Sequence, residues 1–167
     1  MKDSVQVQKI TGRTFDPETP AVLSNIMITS WRSAFRGILS DLIIGQYTQK
    51  EVCCAMFCEI LTSRQGHMYL AFLKGEPAGL LYWTSTSLSD SHLEALLTIP
   101  DAWGCGVGAA LMDAAIKDMI SLGCTRVHVW PFAQNLRAQR FYQKCGFSPS
   151  GNTRFIDTQE VEYVRSL

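Results

Sequence analysis

Apolar residues in the first third of the chain recur every second position at first, and then every third or fourth position. A period of two is typical of a strand, and the longer period is typical of one face of a helix. Thr19 precedes a proline that can open a helix, and Thr48 forms a capping box with Glu51, so both threonines are predicted helix caps. The pattern predicts a strand at Val5–Ile10 and helices at about 20–36, 40–46 and 49–63.

Strand patterns prevail after residue 65. Two apolar segments, predicted strands at 68–73 and 78–85, flank the turn Lys74–Glu76, which is typical of a hairpin. His92–Ile99 is apolar enough for a central strand. A helical period then covers 107–122 and ends at a glycine. The remaining predicted elements are a strand at 125–130, a helix at 135–145 and a terminal strand pair at 147–150 and 160–165. This alternation predicts an α/β fold with a mixed sheet.

Length and composition narrow the possible functions. The 167 residues fit a single domain covering 1–167, and 47% hydrophobic with 18% charged residues excludes intrinsic disorder. Fifteen basic residues balance fifteen acidic ones, so we expect neither nucleic acid nor an anionic membrane as a partner. The segment Met1–Ile10 does not resemble a signal peptide, which leads us to expect a cytoplasmic protein.

The six cysteines do not follow a metal-binding or disulfide pattern. No C-x-x-C pair occurs, and the three histidines do not cluster with the cysteines in the sequence. We therefore predict no metal site and six reduced thiols. The alternative is a reactive thiol at Cys53 or Cys58.

A glycine-rich segment between a strand and a helix carries the first chemical signal. Trp103–Ala109 reads Trp-Gly-Cys-Gly-Val-Gly-Ala, so backbone N–H groups and the helix dipole can converge on a phosphate there. The glycine spacing does not fit a dinucleotide site, and a Walker lysine is absent. The alternative interpretation is a structural turn without a ligand.

Two segments together resemble the GNAT superfamily of N-acetyltransferases. Ile99–Gly108 is similar to the family's acyl-CoA pyrophosphate motif, and Asn135–Phe147 to its N-x-x-A-x-x-F-Y-x-K-x-G-F segment. Trp31–Leu39 also resembles a stretch that is frequent in bacterial members. Trp103 departs from the motif because the family usually has Arg or Gln there, which puts a side-chain contact to the phosphates in doubt.

The resemblance implies a fold and a cosubstrate. The fold would be a mixed, mostly antiparallel sheet with helices on both faces, split at a V between two central parallel strands, His92–Ile99 and Thr125–Trp130. Acetyl-CoA would enter the split, its pantetheine arm pairing with strand backbone and its pyrophosphate lying on the glycine-rich loop. The residues implied in binding it are Leu97, Thr98, Ile99, Trp103, Gly104, Cys105, Gly106, Val107, Gly108, Ala109, Asn135 and Phe141.

The implied reaction is direct acetyl transfer to a primary amine of a small molecule or peptide. Tyr142 would be the general acid toward the CoA thiolate, and the N–H of Leu97 or Thr98 would bind the oxyanion. His92 or Glu94 would remove the amine proton, directly or through a water, since both lie on one face of their strand. The alternative is that both are ordinary polar residues at a strand edge.

Aromatic residues are predicted to wall the acceptor pocket. The candidates are Trp31, Phe35 and Trp130, with Tyr47 and Trp83 as further candidates. We interpret His67 as a loop histidine and His128 as a packed strand histidine. A homodimer is compatible with the sequence. The competing functions are an acyl-CoA-binding module without efficient catalysis and a nucleotide-binding oxidoreductase, the latter disfavoured by the glycine spacing.

Overall fold

The computed structural model describes residues 4–12 and 15–167, and seven strands of these residues form one sheet in the order β1-β2-β3-β4-β5-β7-β6. The strands are β1 (Val5–Ile10), β2 (Gly66–Leu73), β3 (Glu76–Ser85), β4 (Asp90–Thr98), β5 (Arg126–Val129), β6 (Ser148–Phe155) and β7 (Gln159–Ser166). The helices are α1 (Thr19–Ala34), α2 (Asp41–Tyr47), α3 (Lys50–Ser63), α4 (Val107–Ser121) and α5 (Leu136–Lys144), with a 3₁₀ turn at Pro100–Ala102.

The sheet opens between its two parallel strands. β4 and β5 pair only over Asp90–Leu93 and Arg126–Val129, whereas every other neighbouring pair is antiparallel. Glu94 is a bulge, because Leu93 lies opposite Trp83 and Ala95 lies opposite Tyr82 on β3. A bulge bends its strand, and β4 continues to Thr98 after its pairing with β5 has ended. The predicted α/β fold with a split mixed sheet is therefore confirmed.

Each face of the sheet carries its own hydrophobic core. α4 and α5 pack on one face through residues such as Leu111 and Tyr142, and α1 and α3 pack on the other through residues such as Leu23 and Phe57. Leu93, Val127 and Val129 belong to the α4 face. Because side chains alternate along a strand, His92 and His128 lie on the α1 face.

Two residues on the α4 face differ from the sequence interpretation. Trp83 is fully buried there, so the expectation that it walls an acceptor pocket is wrong. His67 belongs to β2 rather than to a loop, and its ring stacks on Trp83 with 4.0 Å between the ring centroids. The strand begins earlier than predicted because residues 66 and 67 still pair with β3.

Both predicted threonine caps are wrong. Thr19 is already inside α1, whose N-cap is Glu18. Thr48 does not cap α3, since Gln49 is the N-cap and makes no side-chain cap bond. The Thr48 hydroxyl instead donates to the carbonyl of Ile44 at 2.8 Å, which closes the last turn of α2. Thr48 lies between two helices, and the sequence pattern alone does not show which helix it serves.

Within residues 4–12 and 15–167, no helix is both long enough and apolar enough to cross a membrane. The same residues contain no group of three or more His, Cys, Asp or Glu side chains arranged to hold a metal ion. All six cysteines are unpaired. Met1 to Asp3, on which part of the signal-peptide argument rests, lie outside the described residues.

Candidate active site

The glycine-rich loop ends in an uncapped helix N-terminus. Gly104 and Gly106 have φ values of 78° and 85°, a backbone conformation that glycine adopts without strain. Gly106 is the N-cap of α4 and brings no side chain to cap it. The N–H groups of Val107, Gly108 and Ala109 precede the first intrahelical bond, Ala110 N–H to Gly106 O, and so lack helical acceptors. Such a terminus suits a phosphate group.

Trp103 connects this loop to β4 and to α5. Its indole Nε1–H donates to the carbonyl of Thr98 at 3.1 Å. The guanidinium of Arg137, in the first turn of α5, lies 3.4 Å from the centre of the indole ring. Desolvation lowers the pKa of Arg137 from its ordinary value. Trp103 therefore holds Arg137 of α5 beside the glycine-rich loop.

Backbone directions on β4 show which residues face the split. The Ile99 N–H donates to Ala78 on β3, and the Ile99 carbonyl accepts from Ala102, so Ile99 cannot pair with a pantetheine arm as expected. Successive N–H groups of a strand point to opposite neighbours. Leu97 N–H therefore also points to β3, contrary to its predicted role, while the N–H groups of Leu96 and Thr98 point toward the split.

The predicted residues of α5 lie beside the loop and in the α4-face core. The Asn135 side chain accepts from Ala138 N–H at 3.2 Å and so caps α5. A Cβ atom on Gly108 would lie 3.3 Å from the Phe141 ring, so that this glycine allows the ring to approach α4. Tyr142 is buried, and burial raises its pKa. A phenol with a raised pKa stays protonated at neutral pH, which suits a hydrogen-bond donor.

His92 and Glu94 form a pair on the α1 face. His92 Nδ1 lies 3.1 Å from Glu94 Oε1, and the Thr84 hydroxyl donates to the same oxygen at 2.7 Å. These hydrogen bonds, that from His92 foremost, lower the pKa of Glu94 although its burial opposes the shift. The carboxylate remains ionised at neutral pH and holds the imidazole by Nδ1, which leaves Nε2 for a ligand.

A second His–Glu pair lies on the neighbouring strand, and sequence reasoning missed it. His128 is the direct register partner of His92, and its Nδ1 lies 2.8 Å from Glu162 Oε1 on β7. Its Nε2 lies 3.5 Å from Asp90 Oδ1. His128 lies in a strand as predicted, and its ring is placed between the carboxylates of Glu162 and Asp90, which the sequence interpretation did not include. The only signal in the sequence is the polar alternation of the two strands, as in Arg-Val-His-Val, which does not show that they are neighbours.

The two histidines line one polar cavity of about 450 Å³. Its wall is formed by residues of β4 and β5, the start of the β3–β4 loop, and side chains of β6 and β7. The lining residues are Thr86, Ser87, Asp90, His92, Arg126, His128, Trp130, Arg154 and Glu162. The cavity therefore lies at the paired ends of β4 and β5, whereas the split lies beyond Leu93.

The three predicted aromatic acceptor residues fall into two groups. Trp31 contacts Phe35, with 5.0 Å between the ring centroids, and Phe35 contacts Phe132 at 4.8 Å. Tyr47 also packs on Trp31. Trp130 lines the polar cavity instead, with the guanidinium of Arg154 4.4 Å from its ring centre.

Comparison with known proteins identifies the family of this chain. Residues 28–147 match the Acetyltransferase (GNAT) family, a region that exceeds half of the chain. The chain belongs to the GNAT acetyltransferase family.

Two sequence relatives and one solved structure show what this GNAT acetyltransferase is similar to. An uncharacterised N-acetyltransferase of Mycobacterium tuberculosis is 27% identical over 155 residues, covering 93% of this chain and 89% of that protein. The peptidyl-lysine N-acetyltransferase YjaB of Escherichia coli is 34% identical over 84 residues, half of each chain. The PaiA N-acetyltransferase of Thermoplasma acidophilum, solved with coenzyme A, superimposes with a TM-score of 0.82 at 18% identity over 98% of this chain and 99% of that chain. At this identity the solved structure supports the fold alone.

Proposed function

We propose that this GNAT acetyltransferase transfers an acetyl group from acetyl-CoA directly to a primary amine of a small molecule or peptide. The observation that carries the proposal is the split in the sheet, with an uncapped phosphate-type loop on one side and a histidine-lined cavity on the other. Coenzyme A in the Thermoplasma structure and the peptidyl-lysine relative support the cosubstrate and the amine acceptor.

Acetyl-CoA would bind along the loop and the split. The pyrophosphate accepts hydrogen bonds from the N–H groups at the start of α4, and Arg137 on Trp103 adds a nearby positive charge. The pantetheine arm follows β4 at Thr98, with Asn135 and Phe141 on its α5 side. The thioester then lies where β4 and β5 separate, which is the place where a group can reach both faces of the sheet.

Proton removal takes place on the α1 face. An ammonium group cannot attack a thioester, so a base must first accept its proton. We propose His92 as this base, because Glu94 orients its ring and an imidazole titrates nearer to neutral pH than a carboxylate. The amine nitrogen then attacks the thioester carbonyl, and its bond to carbon forms as the carbonyl becomes an oxyanion.

The tetrahedral intermediate is stabilised by backbone N–H groups at the split, and its collapse is assisted from the α4 face of the sheet. The N–H of Leu96 or Thr98, both directed to the split, stabilises the oxyanion. The C–S bond then breaks, and the electron pair goes to the CoA sulfur. Tyr142 donates a hydrogen bond to this thiolate from the α4 face. The nitrogen gives up its second proton to water or to the thiolate, and the products are the acetylated amine and CoA.

The first experiment tests binding at the loop. Cys105 is exposed, and its Sγ makes long contacts, of 3.8 and 3.9 Å, with the carbonyls of Trp103 and Asp101. Cys105→Asp should place a carboxylate beside the pyrophosphate and weaken CoA binding roughly tenfold or more in calorimetry, since like charges near 4 Å repel by about 1–4 kcal/mol.

Cys105→Asn is the matched neutral control and should bind CoA as the wild type does, with the same melting temperature for both variants. Equal affinity in the Asp and Asn variants would place the pyrophosphate elsewhere. In parallel, an amine library with acetyl-CoA, followed by mass detection of CoA and acetylated product, separates the enzyme from a binding module. Tight CoA binding without any acetylated amine would favour the module.

A further inference from the structure

The polar cavity beside the split presents unequal amounts of hydrogen-bond donor and acceptor to a ligand. Four charged residues line it, two carboxylates and two guanidinium groups, so the formal charges balance. The hydrogen bonds within the protein, however, occupy the carboxylates more completely than the guanidinium groups. The hydrogen-bonding groups that remain for a ligand are therefore mostly donors, although the formal charges balance.

The Glu162 carboxylate has little capacity left for a ligand. Its Oε1 lies 2.8 Å from His128 Nδ1, and its Oε2 accepts from Ser150 Oγ at 2.6 Å and Asn152 Nδ2 at 2.7 Å. The Glu162 side chain is only 9% exposed. Burial raises its pKa, but these hydrogen bonds outweigh the burial and lower the pKa overall.

The Asp90 carboxylate is similarly engaged by donors of the protein. Oδ1 accepts from Arg126 Nε at 2.7 Å, and Oδ2 accepts from Ser87 Oγ at 3.1 Å. His128 Nε2 lies 3.5 Å from Oδ1, so the imidazole occupies the space beside this oxygen. Neither lining carboxylate is therefore arranged to bind the ammonium group of an acceptor.

The guanidinium groups retain donors. Arg126 contacts Asp90 and Arg154 contacts Glu160, each through Nε, and a guanidinium has more N–H donors than one carboxylate can accept. Their side chains are 53% and 39% exposed. The Arg154 guanidinium carbon also lies 4.4 Å from the centre of the Trp130 ring, a cation–π contact that helps to hold this side chain at the cavity wall.

The place for the ammonium is nearer the split. Glu94 directs Oε1 to His92 and Thr84, and its second oxygen has no hydrogen bond within the described part of the chain. The Glu94 side chain is 37% exposed. The end of the site near the split thus offers a hydrogen-bond acceptor, Glu94, and a base, His92. The cavity walls offer the hydrogen-bond donors of the guanidinium groups.

We infer that the acceptor is an amine that also carries an anionic group, either a carboxylate or a phosphate. The inference rests on the proposed acetyl transfer and names the substrate class of that site. The amine would lie at His92 and Glu94, and the anion would bind Arg126 and Arg154. A charge-assisted hydrogen bond to an arginine is stronger than a neutral one, so the anion should contribute measurably to kcat/KM.

The test uses matched acceptors with acetyl-CoA and the whole 167-residue chain. α- and ω-amino acids are compared with their carboxamides and with the corresponding simple amines, and aminoalkyl phosphates with their alcohols. We expect kcat/KM to be roughly tenfold or more higher for the anionic member of a pair. The carboxylate and phosphate sets show which anion is bound.

Arg126→Gln and Arg154→Gln should reduce kcat/KM for the anionic acceptor toward that of its neutral partner and lower kcat/KM for the neutral partner much less, with CoA affinity unchanged. Lys117→Gln, the same loss of one charge on the exposed face of α4, is the control and should preserve the preference. Equal rates within the pairs, a preference for neutral amines or diamines, or an equal loss for both members in the arginine variants would overturn the inference. Those results would still leave acetyl transfer intact, whereas no acetylation of any amine by CoA-bound protein would overturn the proposed function itself.

Discussion

At the scale of single residues, Tyr142 shows how burial limits a catalytic role. A phenol whose pKa is raised by burial is a weaker acid than a thiol of about 8.5, so complete proton transfer to the leaving thiolate is unfavourable. A hydrogen bond to the developing thiolate requires no such transfer. Tyr142→Phe should therefore lower kcat roughly 10- to 100-fold and leave KM for acetyl-CoA nearly unchanged.

Steady-state kinetics with Tyr69→Phe as the control would check this expectation. Tyr69 is also a buried tyrosine of the α4-face core, but it lies on β2, two strands away from β4. Its variant should lose stability without a comparable loss of kcat. If Tyr142→Phe keeps kcat within about a factor of two, the hydroxyl has only a packing role.

The two imidazoles on neighbouring strands allow a direct comparison of candidate bases. His92 lies on β4, the strand that carries the N–H groups facing the split, whereas His128 lies between Glu162 and Asp90. We expect His92→Gln to lower kcat/KM roughly 10²-fold or more at neutral pH and to remove the acid limb of the pH–rate profile. Glu94→Gln should cause a smaller loss, because the ring remains but is less well oriented.

His128→Gln is the matched variant for this measurement. It should retain the shape of the pH–rate profile, since the base is still present. The reverse result, with the acid limb lost in His128→Gln and kept in His92→Gln, would transfer the role of base to His128. Unchanged profiles in all three variants would leave bulk water or the free amine fraction of the substrate as the proton acceptor.

At the scale of elements, the period of the hydrophobic residues was enough to predict a helix or strand that buries one of its faces. The strand at Val5–Ile10 and the start of α4 at Val107 agree with the sequence prediction, because local hydrophobic patterns set them. The parallel pair of central strands was implied by the family resemblance alone, and the pairing of β4 with β5 confirms it. Thr48 was misassigned because a threonine between two helices can bond to either of them.

Contacts between distant elements could not be predicted in this way. Glu162 orients His128 from 34 positions away, and nothing in either strand identifies the other as its neighbour. The bulge at Glu94 depends on the pairing of β4 with β3, and it determines that Leu96 rather than Leu97 directs its N–H to the split. The direction of a backbone group follows from pairing and not from residue type, so the sequence alone could not show which N–H groups face the split.

At the scale of the whole molecule, a polar cluster joins the first strands to α4 on the face opposite the cavity. The Asp118 carboxylate accepts from the ammonium group of Lys9 and, at 2.5 Å, from the Tyr69 hydroxyl, and His67 Nδ1 lies 3.6 Å away. Burial alone would raise the pKa of Asp118, but the hydrogen bonds from Lys9 and Tyr69 lower it overall. The ionised carboxylate therefore stabilises the packing of β1 and β2 against α4.

This shift gives the free energy of unfolding a defined dependence on pH. A carboxyl whose pKa is lower in the folded state contributes its full stability above the unfolded value, about 3.9, and loses it as the pH falls through the folded value. Asp118→Asn should reduce the free energy of unfolding by about 1–3 kcal/mol at pH 7, because the charged hydrogen bonds are lost while the amide can still accept from Tyr69.

Urea unfolding of the wild type and the variant between pH 7 and pH 3 would measure this contribution. The difference between the two should be largest near neutral pH and should shrink as Asp118 becomes protonated in the wild type. Asp113→Asn, on an exposed position of the same helix, serves as the control and should change stability by less than about 0.5 kcal/mol at every pH. A difference for Asp118→Asn that stays constant down to pH 3 would mean that the charge of the carboxylate contributes nothing, and that only its neutral contacts hold β1 and β2 to α4.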